Sequence, residues 1–203
     1  MVAAGAIRCD AMVTTNLRAD DVSFARRFGT STGFRRLYWG VVIVQGIHMF
    51  EHVVQLIQVY AFGVPDDDAL GLLGYVFQFN GTEEWLHLVF NVSYLLALAV
   101  LFVGILGLYF DDVLSRATFM GYLLLGLGLE TWHGIEHVVI IHNVIRNGGC
   151  PCPGIGDVAL GVTDTQLHFV YNLIAYTGTL IPFVVLRKAG RLPLLARSAR
   201  PSA

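Results

Sequence analysis

The sequence predicts an all-α integral membrane protein: a four-transmembrane-helix bundle made of two tandem two-helix hairpin repeats, related by a pseudo-two-fold axis along the membrane normal. Three observations lead there. Four apolar runs are each about 20 residues or longer, enough to cross a hydrocarbon core of about 30 Å. Basic residues fall almost entirely on one side of those runs. Two short histidine motifs each occur twice at nearly constant spacing. Composition agrees. Only 14% of the 203 residues are charged, 55% are hydrophobic and mean hydropathy is +0.63. A soluble domain carries about 25% charged residues, so these values argue against an ordinary soluble enzyme and exclude disorder.

Residues 1–34 read as a polar cytoplasmic tail. They contain Arg8, Asp10, Arg18, Asp20, Asp21, Arg26 and Arg27 and lack the apolar stretch of a secretory signal. Part of the tail suits an amphipathic helix ending near Gly29. The first hairpin repeat, 35–110, holds spans at about 37–62 and 85–110. The second, 111–187, holds spans at about 117–146 and 166–186. Residues 188–203 form a short basic cytoplasmic tail. Backbone groups inside lipid must pair within their own segment, so each span is a helix. Gly104, Gly107, Gly126 and Gly128 suit close helix contact. Glu83, Glu84 and Trp85 open the second span, acids at a helix N-terminus and an aromatic ring at the interface.

Orientation follows from Lys and Arg. Of 13 basic residues, only Arg146 lies on the side that carries Asp66, Asp67, Asp68, Glu83, Glu84, Asp157 and Asp164. The basic side is cytoplasmic by the positive-inside rule. Both termini therefore face the cytoplasm of a multi-pass protein of the cell (inner) membrane. The lipid bilayer is the expected partner, with other membrane subunits or a homo-oligomer possible in addition; nothing points to nucleic acid.

The repeat is visible in the residues. Positions 45–54 read QGIHMFEHVV and 130–139 read ETWHGIEHVV, an offset of 85; 86–91 read LHLVFN and 167–172 read LHFVYN, an offset of 81. Chance pairs Leu with Val readily in greasy helices, but not His, Glu, His, His and Asn together.

All seven histidines (His48, His52, His87, His133, His137, His142 and His168) lie in the spans or at their edges. Ionisable groups at membrane depth are rare and face a bundle interior in groups. His48 and His52 share one helix face, as do His133 and His137, because residues four apart are stacked. Glu130 joins the face of His133, and its counterpart is Gln45. Asn91 and Asn172 lie one turn below His87 and His168. Counting 1.5 Å per residue puts the polar groups in the outer half of the bilayer and leaves the cytoplasmic half apolar.

Imidazoles at i and i+4 with carboxylates nearby suit transition metals. Imidazole serves Zn, Cu, Fe and Ni, and carboxylate shifts the preference towards Fe, Mn or Zn. Facing helices that supply His and Glu can hold two ions in a bundle core. The expected ligands are His48, His52, His87, His133, His137 and His168, with Glu51, Glu130 and Glu136 as ligands or as carboxylates behind the imidazoles. Asn91, Asn172 and Gln45 form the next layer. Fe, Cu and Zn are not distinguished, and haem b suits the i,i+4 pairs less well than an ion. A hydrogen-bonded polar network without metal and a proton pathway are the competing readings. The HxxxH spacing is similar to the histidine boxes of membrane di-iron desaturases and hydroxylases. Those families carry several boxes, including HxxHH, mostly at the cytoplasmic face; here HxxEH stands instead, and the cluster faces outwards.

Cys150 and Cys152, in GGCPCPG of an outer loop, could capture a soft ion, form a disulfide or shape a turn. Trp132 beside His133 reads as core filling or as packing against a cofactor. Three functions follow: a redox or oxygen-chemistry metalloprotein, acting as a metal-dependent membrane oxidoreductase; a transition-metal transporter or acceptor; and an accessory subunit of a larger membrane complex. The first accounts best for the number of ligands. No nucleophile triad, phosphate loop or dinucleotide fingerprint is present.

Overall fold

A serine with extended backbone starts the first long helix. In the computed structural model, which describes residues 19–77, 84–147 and 154–193, the Ser31 side chain accepts the Phe34 amide and α2 follows over Thr32–Phe62. Gly63 ends it with φ 67°, a left-handed conformation that glycine adopts without a Cβ clash. A shorter helix, α1, precedes it over Ala19–Gly29, where the sequence predicts an amphipathic helix. The first connection contains a 3-10 turn at Asp66–Asp68 and α3 over Gly71–Phe77. Helix α4 returns over Glu84–Phe110.

The third apolar stretch is helical throughout but changes its winding. It consists of α5 (Arg116–Gly121), a π segment (Tyr122–Gly128) and α6 (Leu129–Arg146). The second connection contains α7 (Ile155–Leu160), and α8 (Asp164–Lys188) opens with a capping box between Thr163 and Gln166, which satisfies two backbone donors that have no helical partner. Helix accounts for 86% of the described residues, with no strand among them. Among the described residues, three helices, α2, α4 and α8, are long and apolar enough to cross a membrane.

The distribution of polarity is inverted relative to a soluble bundle. Gln45, His48, His52, His87, Asn91, Glu130, His133, His137, His168 and Asn172 are buried, while Phe50, Val89, Leu96 and Leu124 are each more than half exposed. Monomeric soluble proteins rarely present large apolar faces to water.

One half of the interior holds the polar groups, and the other is apolar. Phe34, Tyr38, Leu98, Leu101, Ile105, Leu108, Tyr122 and Leu186 pack there. Phe34, Tyr38 and Phe183 meet edge to face at 5.6 and 5.4 Å. Their buried neighbours satisfy their own polar tips. Tyr38 donates to the Thr179 carbonyl at 2.9 Å, Tyr122 donates to the Leu98 carbonyl at 2.6 Å, and the Tyr94 hydroxyl bonds Thr179 Oγ1 at 2.6 Å.

Three of the four sequence-predicted packing glycines stand at helix crossings. A Cβ on Gly107 would strike the Ala25 backbone, and one on Gly104 would strike the Phe34 ring. Helix α1 therefore lies tightly against α4. Gly126 faces Gly178, where a Cβ would come within 2.7 Å of the Leu125 carbonyl carbon and closer still to the Gly126 nitrogen. Gly128 has only its own helix nearby, with Leu123 O at 3.2 Å from an added Cβ.

Gly178→Ala is expected to lower stability by about 1–3 kcal/mol, the usual range for overpacking. Gly121→Ala has nothing within 4 Å of the new methyl group and is expected to stabilise by about 0.5–1 kcal/mol through helix propensity. Thermal unfolding of both variants in detergent checks the pair.

Candidate metal centre

Helix α2 carries His48 and His52 on one face, and α6 carries His133 and His137 in the same way. Helices α4 and α8 bring His87 and His168 against them. The six rings form two groups. Donor atoms of His48, His52 and His87 lie within 4.8 Å of one another, as do those of His133, His137 and His168, so that each group could hold a metal ion. No ring in either group is more than 3% exposed.

Ring separations recur between the groups. His48–His52 and His133–His137 are both 4.7 Å apart between centroids. His52–His87 is 5.1 Å and His137–His168 is 4.6 Å. His48–His87 is 5.7 Å and His133–His168 is 5.1 Å. The groups also adjoin, with His87–His137 at 5.8 Å and His52–His168 at 6.4 Å. The arrangement is thus one centre with two halves.

Nε2 of His133 and Nε2 of His137 are 3.1 Å apart. A tetrahedral zinc with bonds of about 2.0–2.1 Å separates its ligand nitrogens by about 3.3–3.4 Å, so the pair is close to ligating distance. His168 is anchored through Nδ1, 3.0 Å from the backbone oxygen of Asp164 and 3.0 Å from its Oδ2. Such a carboxylate fixes an imidazole's orientation and raises its basicity as a ligand. Glu130 is fully buried, with Oε2 3.7 Å from His133 Nδ1.

A directed chain of hydrogen bonds runs through the other half. Gln45 Nε2 donates to Asn172 Oδ1 at 2.7 Å, and Asn172 Nδ2 contacts His52 Nε2 at 2.9 Å. His52 Nδ1 meets Gln55 Oε1 at 2.8 Å. Gln55 Oε1 can only accept, so Nδ1 carries the proton and Nε2 accepts from Asn172. Asn91, the sequence counterpart of Asn172, is buried with neither side-chain polar atom hydrogen-bonded among the described residues. The same is true of both ring nitrogens of His48 and both carboxyl oxygens of Glu130. Phe90 stacks on His48 at 4.6 Å and Tyr171 lies 5.3 Å from His133.

Glu51 and Glu136 join neither histidine group. Each turns to a connection instead. Glu51 Oε1 accepts the amides of Leu73 and Gly74, the latter at 3.2 Å, at the start of α3. Glu136 Oε1 accepts the Gly156 amide at 2.6 Å beside α7. Glycine is required around both. Gly71 has φ 67° and a Cβ there would lie 2.7 Å from the Glu51 carboxyl carbon; a Cβ on Gly154 would lie 2.5 Å from Glu136 Oε1. The carboxylates are hydrogen-bonded anchors for the two short helices.

His142 is exposed on α6 and belongs to neither group. Trp132 is 41% exposed and donates to the Tyr171 hydroxyl at 3.1 Å, so it braces a residue of the centre and fills no core. The segment holding Cys150 and Cys152, and Cys9, lie outside the described residues. Gln55 and Asp164 contact the histidines without having been selected from the sequence. Their spacings, three after His52 and four before His168, put them on the histidine faces and were the available signal. The chain matches no protein-family profile, no curated protein and no solved structure.

Glu136→Ala is expected to leave α7 unanchored and to leave metal content unchanged. Faster proteolysis or amide exchange across 154–160, with unaltered metal per chain by elemental analysis, checks this. A matching loss of metal would make the carboxylate a ligand.

Proposed function

We propose that the protein is an integral membrane metalloprotein that holds two transition-metal ions in adjoining three-imidazole sites and uses them for redox or oxygen chemistry. In this reading residues 35–110 and 111–187 are duplicated hairpins. The third apolar stretch is a fourth span despite its π segment, both termini are cytoplasmic, and the centre lies in the outer half of the cell membrane. The recurring ring separations support the duplication. The apolar exposed faces support the bilayer.

One observation carries the functional reading: six buried imidazoles gathered in two groups of three. That is more donor capacity than helix association needs. Glu51 and Glu136 bond backbone amides through Oε1, so the six nearest donors are imidazole nitrogens, with the Glu130 carboxyl behind His133. Imidazole donors serve copper, zinc, iron and nickel, and copper and iron are the redox-active members of that set. A bound ion would supply Lewis acidity or electron transfer. The chain's own residues do the rest. His48, His52 and His87 would hold one ion, and His133, His137 and His168 the other. Asp164 orients His168, Phe90 and Tyr171 exclude water, and the surrounding lipid admits an apolar substrate.

Protein purified in detergent is expected to carry up to two equivalents of transition metal per chain. His52→Ala combined with His137→Ala is expected to remove most of it. Protein that neither retains nor takes up any transition metal on elemental analysis would overturn the reading.

A second reading, an acceptor or transporter of transition metals, draws on the acidic outer end. Asp164 bonds His168, and Asp66 Oδ2 accepts the adjacent Thr165 amide at 3.5 Å. Proteoliposomes loaded with a metal-sensitive dye separate the two. The metalloprotein reading expects tight retention without uptake; uptake abolished by His52→Ala would favour transport.

A further inference from the structure

The two histidine groups differ at one sequence position in a way that changes what their nitrogens can do. Gln45 and Glu130 occupy corresponding places, three residues before His48 and His133. In the α2 half, the Gln45 amide donates to Asn172 Oδ1, which orients Asn172 so that its Nδ2 donates to His52 Nε2. Gln55 holds the Nδ1 proton of the same ring. The His52 lone pair is therefore already engaged by an amide hydrogen. The position matching Gln55 in the α6 half is Ile140, which offers no acceptor.

A carboxylate cannot reproduce the first step. Ionised, Glu130 has no hydrogen to give, so it cannot start an Asn91 chain like that of Asn172. Both atoms of Asn91 and both oxygens of Glu130 are accordingly without hydrogen bonds among the described residues. His137 Nε2 and His133 Nε2 are hydrogen-bonded to each other at 3.1 Å, one ring donating to the other. Glu130 stands 3.7 Å behind the opposite nitrogen of His133. A buried carboxylate without a cation is strongly disfavoured, and so is a buried dication without an anion. Each resolves the other's desolvation. Asp164 has a sequence counterpart in Glu83, outside the described residues, so the contrast is carried by Glu130 against Gln45 and by the bonds to His52.

We infer that the two groups are inequivalent metal sites: His133, His137 and His168 take and retain a divalent cation first, with Glu130 as its positioning carboxylate, while His48, His52 and His87 form a weaker site kept closed by the Gln45–Asn172–His52 chain. This rests on the reading that the histidines bind metal. It adds the order of loading and the residue that sets it.

The test is titration of metal-stripped, full-length protein in detergent with Co2+, read by its visible absorption bands, and with Zn2+, read by equilibrium dialysis. Two affinity classes are expected. His137→Ala should remove the tight class, and His52→Ala should remove the weak one. Glu130→Gln keeps the shape of the side chain, so it tests the idea even if a histidine variant fails to fold. It should weaken the tight class by about 10–100-fold and shift its cobalt bands. Gln45→Glu should strengthen the weak class by breaking the chain and adding a charge. Equal affinities, a tight class that survives His137→Ala and disappears with His52→Ala, or no response to Glu130→Gln would each overturn the ranking alone. Absence of any cation binding by the unaltered protein would overturn the metal reading itself, and the ranking with it.

Discussion

Polar side chains inside an apolar envelope have no water to turn to, and that constraint organises the molecule. In this bundle the exposed faces are leucine, valine, isoleucine and phenylalanine, while imidazoles, amides and carboxyls lie within. Each buried polar atom needs a partner from the chain or from a ligand. Where the chain supplies partners, the result is a directed series such as Gln45, Asn172, His52 and Gln55. Where it does not, as at Asn91, Glu130 and His48, the demand is unmet among the described residues. Chemistry and packing are thus two aspects of one requirement.

The same requirement explains the carboxylates of the two HxxEH motifs. Short helices of six or seven residues are not stable by themselves, and the amides at their starts have no helical acceptors. Glu51 and Glu136 supply acceptors from the long helices, beside glycines that leave room for the carboxylate. The connections are thereby tied to the same helix turns that carry the histidines. Movement of either short helix would be felt one residue away, at His52 or His137.

The two ends of the bundle are held together by different physics. Around the histidines, hydrogen bonds with fixed donors and acceptors define the geometry. At the other end, ring-on-ring contacts and glycine crossings at Gly104, Gly107 and Gly178 do so, with Tyr38, Tyr94 and Thr179 at the boundary. Among the described residues that end is apolar and close-packed, so the polar and apolar halves of the interior meet at these three side chains.

Much of this was legible in the chain. Helical character, the long apolar helices and the pairing of His48 with His52 and His133 with His137 follow from length, hydropathy and a period of 3.6 residues. These properties depend only on neighbours along the sequence. What the tertiary structure decided was direction. Spacing brought Glu51 and Glu136 near the histidine faces, but not which way their carboxylates turn, because that depends on where the α3 and α7 amides fall. Spacing aligned Gln45 with Glu130, but the consequence for His52 appears only when Asn172 arrives from α8, 127 residues beyond Gln45. A hydrogen bond has a donor and an acceptor fixed in space, and a linear pattern carries residue types without that geometry.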